Sequence, residues 1–389
     1  MLKSDDRILT THTGSLPRGE ALTALMVRLS RGEAVVEAEF DREVEDRTRL
    51  AAKRQLDAGI DVGNDGEQGR ESFVTYLIHR LSGFGGKSQR PVMRDITTFP
   101  SFLKLKLPSF QKDMVDLIGA PQVVGEVQHL GLAPIDEECA RLERAVTGES
   151  KTFRETFMTA ASPGIVTAVF LNNYYDSHEA YVNAVADALR PEYQRIVEQG
   201  LVLQIDSPDL AMERHTSFAD KTLQEFLTFV ETNIAAMNRA IEDIPRDRVR
   251  LHVCWGNYEA PHHLDVPLEA ILSPLYQARV GALVLPMANP QHSHEWRAFE
   301  RHNLPDEMLL VAGVIDTTTN FVEHPEVVAD RIERAASAVG DPARVLAGTD
   351  CGFDTSAGLG SVAEEVVWEK LRSLRAGADV ASKRLGLSA

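Results

Sequence analysis

His252 and Cys254 stand two residues apart, and Cys351 lies far downstream in Asp350-Cys351-Gly352. On a strand, period-two alternation points residues 252 and 254 to the same face. One imidazole and two thiolates form a donor set that suits zinc, and three protein ligands leave a position open for substrate. A thiol entering that position is held as thiolate at neutral pH. A single cysteine is more often a small buried hydrophobe, and an isolated His-x-Cys recurs by chance. The weight comes from a second cysteine at a separate strand end. Cys139 lies in the helical-looking run Ile135–Ala140 and reads as structural.

These residues need a scaffold that brings distant strand ends together. Short β-rich runs recur at Ile8–Thr13, Gly59–Asp65, Val123–Val127, Gly164–Phe170, Leu201–Asp206, Val249–Cys254, Ala282–Met287, Leu309–Asp316 and Arg344–Asp350. Most are continuous apolar runs, as in parallel strands buried on both faces. Between them lie helical patterns. Leu223, Phe226, Leu227, Val230, Ile234, Met237 and Ile241 fall mostly three and four apart, which gives a helix one apolar face. The alternation predicts an α/β fold, a (β/α)8 TIM-type barrel in a single domain over residues 1–389. Nine runs compete for eight places, so one is accessory. Val123–Val127 and the region 87–118, read as an insertion in the N-terminal half, are the candidates. The polar residues collect at the C-terminal strand ends, where a barrel places its active site.

Composition narrows the function classes. The formal charge is −17, from 58 acidic and 41 basic residues. Such a surface repels phosphate backbones and anionic lipid, which argues against nucleic-acid and membrane partners. Three cysteines make no disulfide framework and suit a reducing compartment. No apolar run approaches the roughly 20 residues of a membrane helix, and the N-terminus does not read as a signal peptide. The expected location is cytoplasmic. The sequence leaves the oligomeric state open, a homo-oligomer included. No G-x-S-x-G, Walker or G-x-G-x-x-G motif supports serine hydrolysis, nucleotide hydrolysis or dinucleotide chemistry.

Two further sets bear on chemistry. His262 and His263 follow the His252 strand, and His262 is the candidate to protonate a leaving group or an opening epoxide. Such a pair is also common as plain loop structure. Arg18 and Arg70 lie near the first two strand ends. Either can pair a substrate carboxylate or sulfonate, and either can instead neutralise Glu67 or Asp65.

The chain resembles cobalamin-independent methionine synthase and its single-barrel relatives, which include epoxyalkane:coenzyme M transferase. The resemblance rests on Thr11-His12-Thr13-Gly14-Ser15-Leu16-Pro17-Arg18, Asn64-Asp65-Gly66-Glu67, Leu203-Gln204-Ile205-Asp206-Ser207-Pro208, His252-Val253-Cys254 and Gly348-Thr349-Asp350-Cys351-Gly352. It implies that His252, Cys254 and Cys351 ligate Zn2+, and that Ser15, Glu67 and Asp206 bind the amino acid part of the thiol substrate. Two carboxylates suit an ammonium, although both also suit helix caps. Three positions depart from the family. Pro286 stands where the family places a further glutamate ligand, leaving the fourth place to water ahead of His292 or His294. Asp316-Thr317-Thr318-Thr319-Asn320 lacks the proton-donating histidine. Ser207 replaces a glutamate. These weaken methyltetrahydrofolate as donor.

The resemblance therefore implies a zinc-dependent thiol alkyltransferase with two small-molecule partners. These are a thiol, homocysteine or coenzyme M-like, and a methyl or epoxide donor. The rivals are a metal-free lyase or decarboxylase of the uroporphyrinogen decarboxylase type, and a non-catalytic thiol- or zinc-binding barrel.

Overall fold

A computed structural model describes residues 1–88, 90–106, 115 and 119–387. Its strands are β1 Val62–Gly63, β2 Phe84–Gly85, β3 Gln122–Val123, β4 Glu155–Ala161, β5 Val202–Asp206, β6 Val249–His252, β7 Ala282–Pro286, β8 Leu309–Ile315 and β9 Val345–Thr349. Seven of them form one sheet in the order β1-β4-β5-β6-β7-β8-β9, each neighbour parallel to the next. The segment around Thr10 joins the two edges: Thr10 bridges Ala347 of β9, and Thr11 bridges Val62 of β1, both in parallel. The Thr11 amide donates to Ala347 at 2.9 Å, and the Val62 amide donates to Thr10 at 3.0 Å. The expected Ile8–Thr13 strand is thus a very short stave that curls the sheet onto itself.

Alternation along the strands stacks the interior in layers. Val202 of β5 belongs to an apolar cluster with Leu9, Val62, Phe157, Val284, Val311 and Leu346. Two residues on, Gln204 accepts from the buried Arg250 guanidinium at 2.8 Å, which also donates to the Thr11 hydroxyl and the His12 carbonyl. Two further on, Asp206 meets His252. One end of the barrel is hydrocarbon, its middle is a hydrogen-bonded plug, and its C-terminal end carries the chemistry.

One expectation needs correction. Gly164–Phe170 is not a strand: Pro163–Val169 is a helix, capped by the Ser162 hydroxyl accepting from the Ile165 amide. Serine at the cap and proline at the first helical position start helices; the β-branched residues behind them give a strand-like composition. The strand of this unit lies just before, at Glu155–Ala161. Gln122–Val123, which shares only Val123 with the expected Val123–Val127 run, pairs antiparallel with Phe84–Gly85 outside the main sheet, as an accessory strand would. The helix read from Leu223 onward spans Leu223–Ala240 and opens on a Thr222/Glu225 capping box. Residues 89, 107–114 and 116–118 of the region expected as an insertion lie outside the described residues. The remainder carries short helices Arg94–Thr97 and Pro100–Lys106, and part of it faces the C-terminal end of the sheet.

Candidate metal centre and active site

β6 ends at His252, and Cys254 follows on the same face. Cys351 comes two residues after β9 ends. Their ligand atoms lie within 4.8 Å of one another, and all three residues are buried. The two sulfurs are 4.0 Å apart. Bonds of about 2.3 Å at a tetrahedral angle place two zinc-bound sulfurs about 3.8 Å apart, so the spacing fits a shared ion.

His252 Nδ1 lies 3.0 Å from Asp206 Oδ1, while Nε2 is buried without a protein partner. A carboxylate behind a ligating imidazole fixes its tautomer and aims the other nitrogen at the metal. The hydrogen bond from Cys351 pulls the Cys254 thiol well below its usual range. Cys351 is raised in turn by the same contact and by burial. Desolvation works to lower His252, but Cys254 and Asp206 outweigh it and raise the imidazole to about 10. A bound cation would displace that proton from Nε2. Among the described residues, no further His, Cys, Asp or Glu joins the group. His292 and His294 are not part of it: His292 Nε2 turns to Asp265 at 2.9 Å, and His294 lies beside Glu295.

Two cavities meet at the two cysteines. The first, about 190 Å³, is lined by Thr13, Ser15, Glu67, Asp206, His252, Cys254 and Cys351, with an apolar collar that includes Phe73, Met93, Ile96 and Met212. The second, about 320 Å³, is lined by Cys254, Cys351, Trp255, Asn257, Tyr258, His262, Pro286, Asn289, His292 and Asp316–Thr319.

Ser15, Glu67 and Asp206, distant in sequence, therefore share one cavity with the metal-ligand set. Glu67 holds φ at 56°, a left-handed conformation that a non-glycine residue keeps only under constraint. Its Oε1 accepts from Thr159 at 3.0 Å, and its Oε2 is buried with no partner. Burial and the Asp206 carboxylate push Glu67 up to about 7. Gly352 presses against Ser15: a Cβ there would sit 2.0 Å from Ser15 Oγ, so only glycine lets the Cys351 loop approach the first stave this closely.

Arg18 and Arg70 line neither cavity. Arg70 grips Glu138 at 2.7 Å and donates to the Thr159 carbonyl at 2.8 Å. Arg18 pairs with Asp354 at 3.1 Å and donates to the Arg70 carbonyl. Both guanidiniums are committed to the frame around Glu67. Their placement away from substrate has a simple cause, since internal carboxylates and carbonyls claim them first.

His262 lines the second cavity, but both ring nitrogens are engaged. Nδ1 lies 2.9 Å from Asp265, and Nε2 lies 2.9 Å from the Tyr258 carbonyl. In this structure both nitrogens are therefore held by protein partners. His262, His215 and His292 gather on the single carboxylate of Asp265, tying together the loops after β5, β6 and β7. This knot was not read from the sequence, where its members lie up to 77 residues apart. The Asp350 carboxylate holds the loop after β7 by accepting from the amides of Met287, Ala288 and Asn289, so Asp350 is not a ligand. Thr159, which positions Glu67, was missed because its strand was missed.

The comparisons bear on the family and the fold. The sequence model described as cobalamin-independent synthase, catalytic domain, matches residues 136–375. A methionine synthase of Saccharolobus solfataricus is 24% identical over 379 residues, covering 97% of this chain and 95% of its own. One from Sulfurisphaera tokodaii is 24% identical over 378 residues, covering 97% and 93%. Among solved structures, a B12-independent methionine synthase from a Shewanella species, in complex with selenomethionine, superposes with a TM-score of 0.73. It is 22% identical, and the match covers 97% of this chain and 99% of that one. A putative vitamin-B12-independent methionine synthase from Listeria monocytogenes gives 0.63 at 19% identity, covering 96% and 99%. These two likenesses carry the fold. The match of the family model over more than half of the residues carries the membership: the chain belongs to the family of the cobalamin-independent synthase catalytic domain.

Proposed function

We propose that the protein transfers a methyl group to the sulfur of a small amino thiol of the homocysteine type. The observation that carries this reading is the meeting of two cavities at Cys254 and Cys351, one of them floored by the unpartnered carboxylate oxygen of Glu67. The names of the relatives support methyl transfer, and the first cavity supports the acceptor class. Glu67 and Asp206 suit an ammonium, whereas Arg18 and Arg70, expected to favour an anionic thiol such as coenzyme M, are bonded elsewhere.

His252, Cys254 and Cys351 would hold Zn2+. When bound, the ion supplies a thiolate near neutral pH, because a coordinated thiol loses its proton. The protein's own groups do the rest. Asp206 holds the His252 ring by Nδ1, and Ser15, Glu67 and Asp206 orient the amino acid part of the acceptor. The donor enters through the second cavity, so that sulfur and carbon approach from opposite sides of the cysteine pair. The S–C bond forms as the bond from carbon to its leaving group breaks, and the leaving group keeps that electron pair. The acceptor's nucleophile is its own sulfur, and no covalent bond to the protein is required.

The test is metal content by elemental analysis, wild type beside Cys351→Ser, together with calorimetric titration of homocysteine. The expected result is near one zinc per chain, lost in the variant along with thiol binding. A wild type that takes up no zinc after reconstitution overturns the reading and puts a metal-free lyase first. Zinc and thiol binding without turnover of any methyl donor would make the protein a binding barrel.

A further inference from the structure

The first cavity is built from anionic groups: Glu67, Asp206 and the two cysteines. An amino thiol carries a negative end as well as a positive one, and that end needs a cation. Among the described residues lining this cavity, the only arginine or lysine is Arg90. It comes from the segment between β2 and β3, which sequence reading did not connect to the site.

Arg90 is largely buried, and its Nη2 is tethered to Glu213. Glu213 is itself buried and accepts from the Thr216 hydroxyl at 2.6 Å, just past the helical turn that follows β5. The tether ties Arg90 to the turn that follows β5, the strand that ends at Asp206. It also leaves part of the fork unused, because Arg90 Nε is buried with no partner. A buried donor left unmade is costly, and an arginine fork is shaped for a carboxylate or sulfonate. Pro91, Val92, Met93 and Ile96 form the collar beside it, and such apolar surroundings strengthen an ion pair.

We infer that Arg90 is the residue that receives the anionic end of the acceptor thiol. The inference rests on the proposed thiol-binding role of the cavity. It makes recognition of the acceptor three-point: sulfur at the cysteine pair, ammonium at Glu67 and Asp206, anion at Arg90. Glu213 serves as the anchor that keeps Arg90 in place.

The experiment is calorimetric titration of the zinc-loaded protein with four thiols: homocysteine, its methyl ester, coenzyme M and 2-mercaptoethanol. Wild type is compared with Arg90→Gln and Glu213→Gln. Arg90→Gln should weaken homocysteine by about 10- to 100-fold and leave its methyl ester and 2-mercaptoethanol within about threefold. Glu213→Gln should retain most of the homocysteine affinity, because the amide oxygen still accepts from Arg90 Nη2 and keeps the guanidinium in place. Coenzyme M tells the two anions apart: a loss matching that of homocysteine means any anion is taken, and a loss confined to homocysteine means a carboxylate is required. Either pattern supports the inference. Equal losses for charged and neutral thiols, or equal losses in both variants, would show Arg90 to be a structural tether and overturn it. A wild type that binds none of the four overturns the thiol-binding reading itself, whereas a wild type that binds ester and acid equally overturns only the role of Arg90.

Discussion

The two cavities share a pair of cysteines but are built on opposite plans. In the first, three lining residues each carry a buried polar atom with no protein partner: Glu67 Oε2, His252 Nε2 and Arg90 Nε. In the second, most polar groups are spent on one another, with His292 Nδ1 left without a hydrogen-bond partner. Asp265 collects three histidines, Asp350 collects three backbone amides, and Asp316 collects the hydroxyls of Thr318 and Thr319. Unmade hydrogen bonds in a buried site are tolerated where a ligand makes them, whereas closed networks give shape. On the proposed function, the first cavity would recognise charge and the second would admit its partner by fit.

Four substitutions break or sharpen this contrast. Cys254→Ser removes a shared ligand and should hurt both sides at once. Transfer should fall by roughly a thousandfold or more, about 4 kcal/mol of transition-state stabilisation, with zinc lost on dialysis. A variant that keeps its zinc and its rate would end the account of the first cavity.

Asp206→Asn keeps the shape but removes the charge behind His252 and one of the two carboxylates proposed to meet the ammonium. Zinc affinity measured by chelator competition should drop by about 10- to 100-fold, as for other supporting carboxylates. An unchanged affinity would reduce Asp206 to a substrate contact.

Glu67→Gln separates recognition from stability. Burial raises the Glu67 carboxyl to about 7, so the folded state favours its protonated form. Its contribution is complete below the ordinary carboxylate range and is lost as pH rises through about 7. The variant should therefore melt higher than wild type at pH 8, by an amount on the order of 1–3 kcal/mol, and equal it at pH 4. Its KM for an amino thiol should nevertheless rise at pH 8. In the wild type, that KM should climb as pH falls below about 7, because protonated Glu67 no longer attracts an ammonium. A pH-independent difference in melting would show that Glu67 does not titrate in this range.

His262→Gln should have the smallest effect, less than about tenfold in kcat, because the ring holds a loop and lends no proton. Loss of a basic or acidic limb in its pH–rate profile would restore His262 as a catalytic group.

Much of the first cavity was legible in the sequence because its residues sit at strand ends, and a strand's parity fixes where its side chains point. His252, Cys254, Asp206 and Cys351 inherit their direction from β5, β6 and β9. Glu67 and Ser15 were placed by motif. Loops escape that logic. Arg18, Arg70 and His262 were read by type and proximity, but Arg18 and Arg70 are claimed by Asp354 and Glu138 far along the chain, and His262 by Asp265 and the Tyr258 carbonyl within its own loop. Arg90 shows the same limit in reverse, since nothing in its local pattern announces a cavity. The Pro163–Val169 error has a different origin, because β-branched composition misled where the Ser-Pro start signalled a helix.

The Thr10 stave that joins β9 to β1 also sets a timetable. Thr10 pairs with Ala347, near the other end of the chain. At typical synthesis speeds of about 5–20 residues per second, roughly 20–70 s pass between translation of the two. Throughout that interval the exposed edges of the growing sheet invite pairing with other chains. Cys351 is made only moments after Ala347, so His252, Cys254 and Cys351 cannot come together before the pairing that joins the two sheet edges is itself possible.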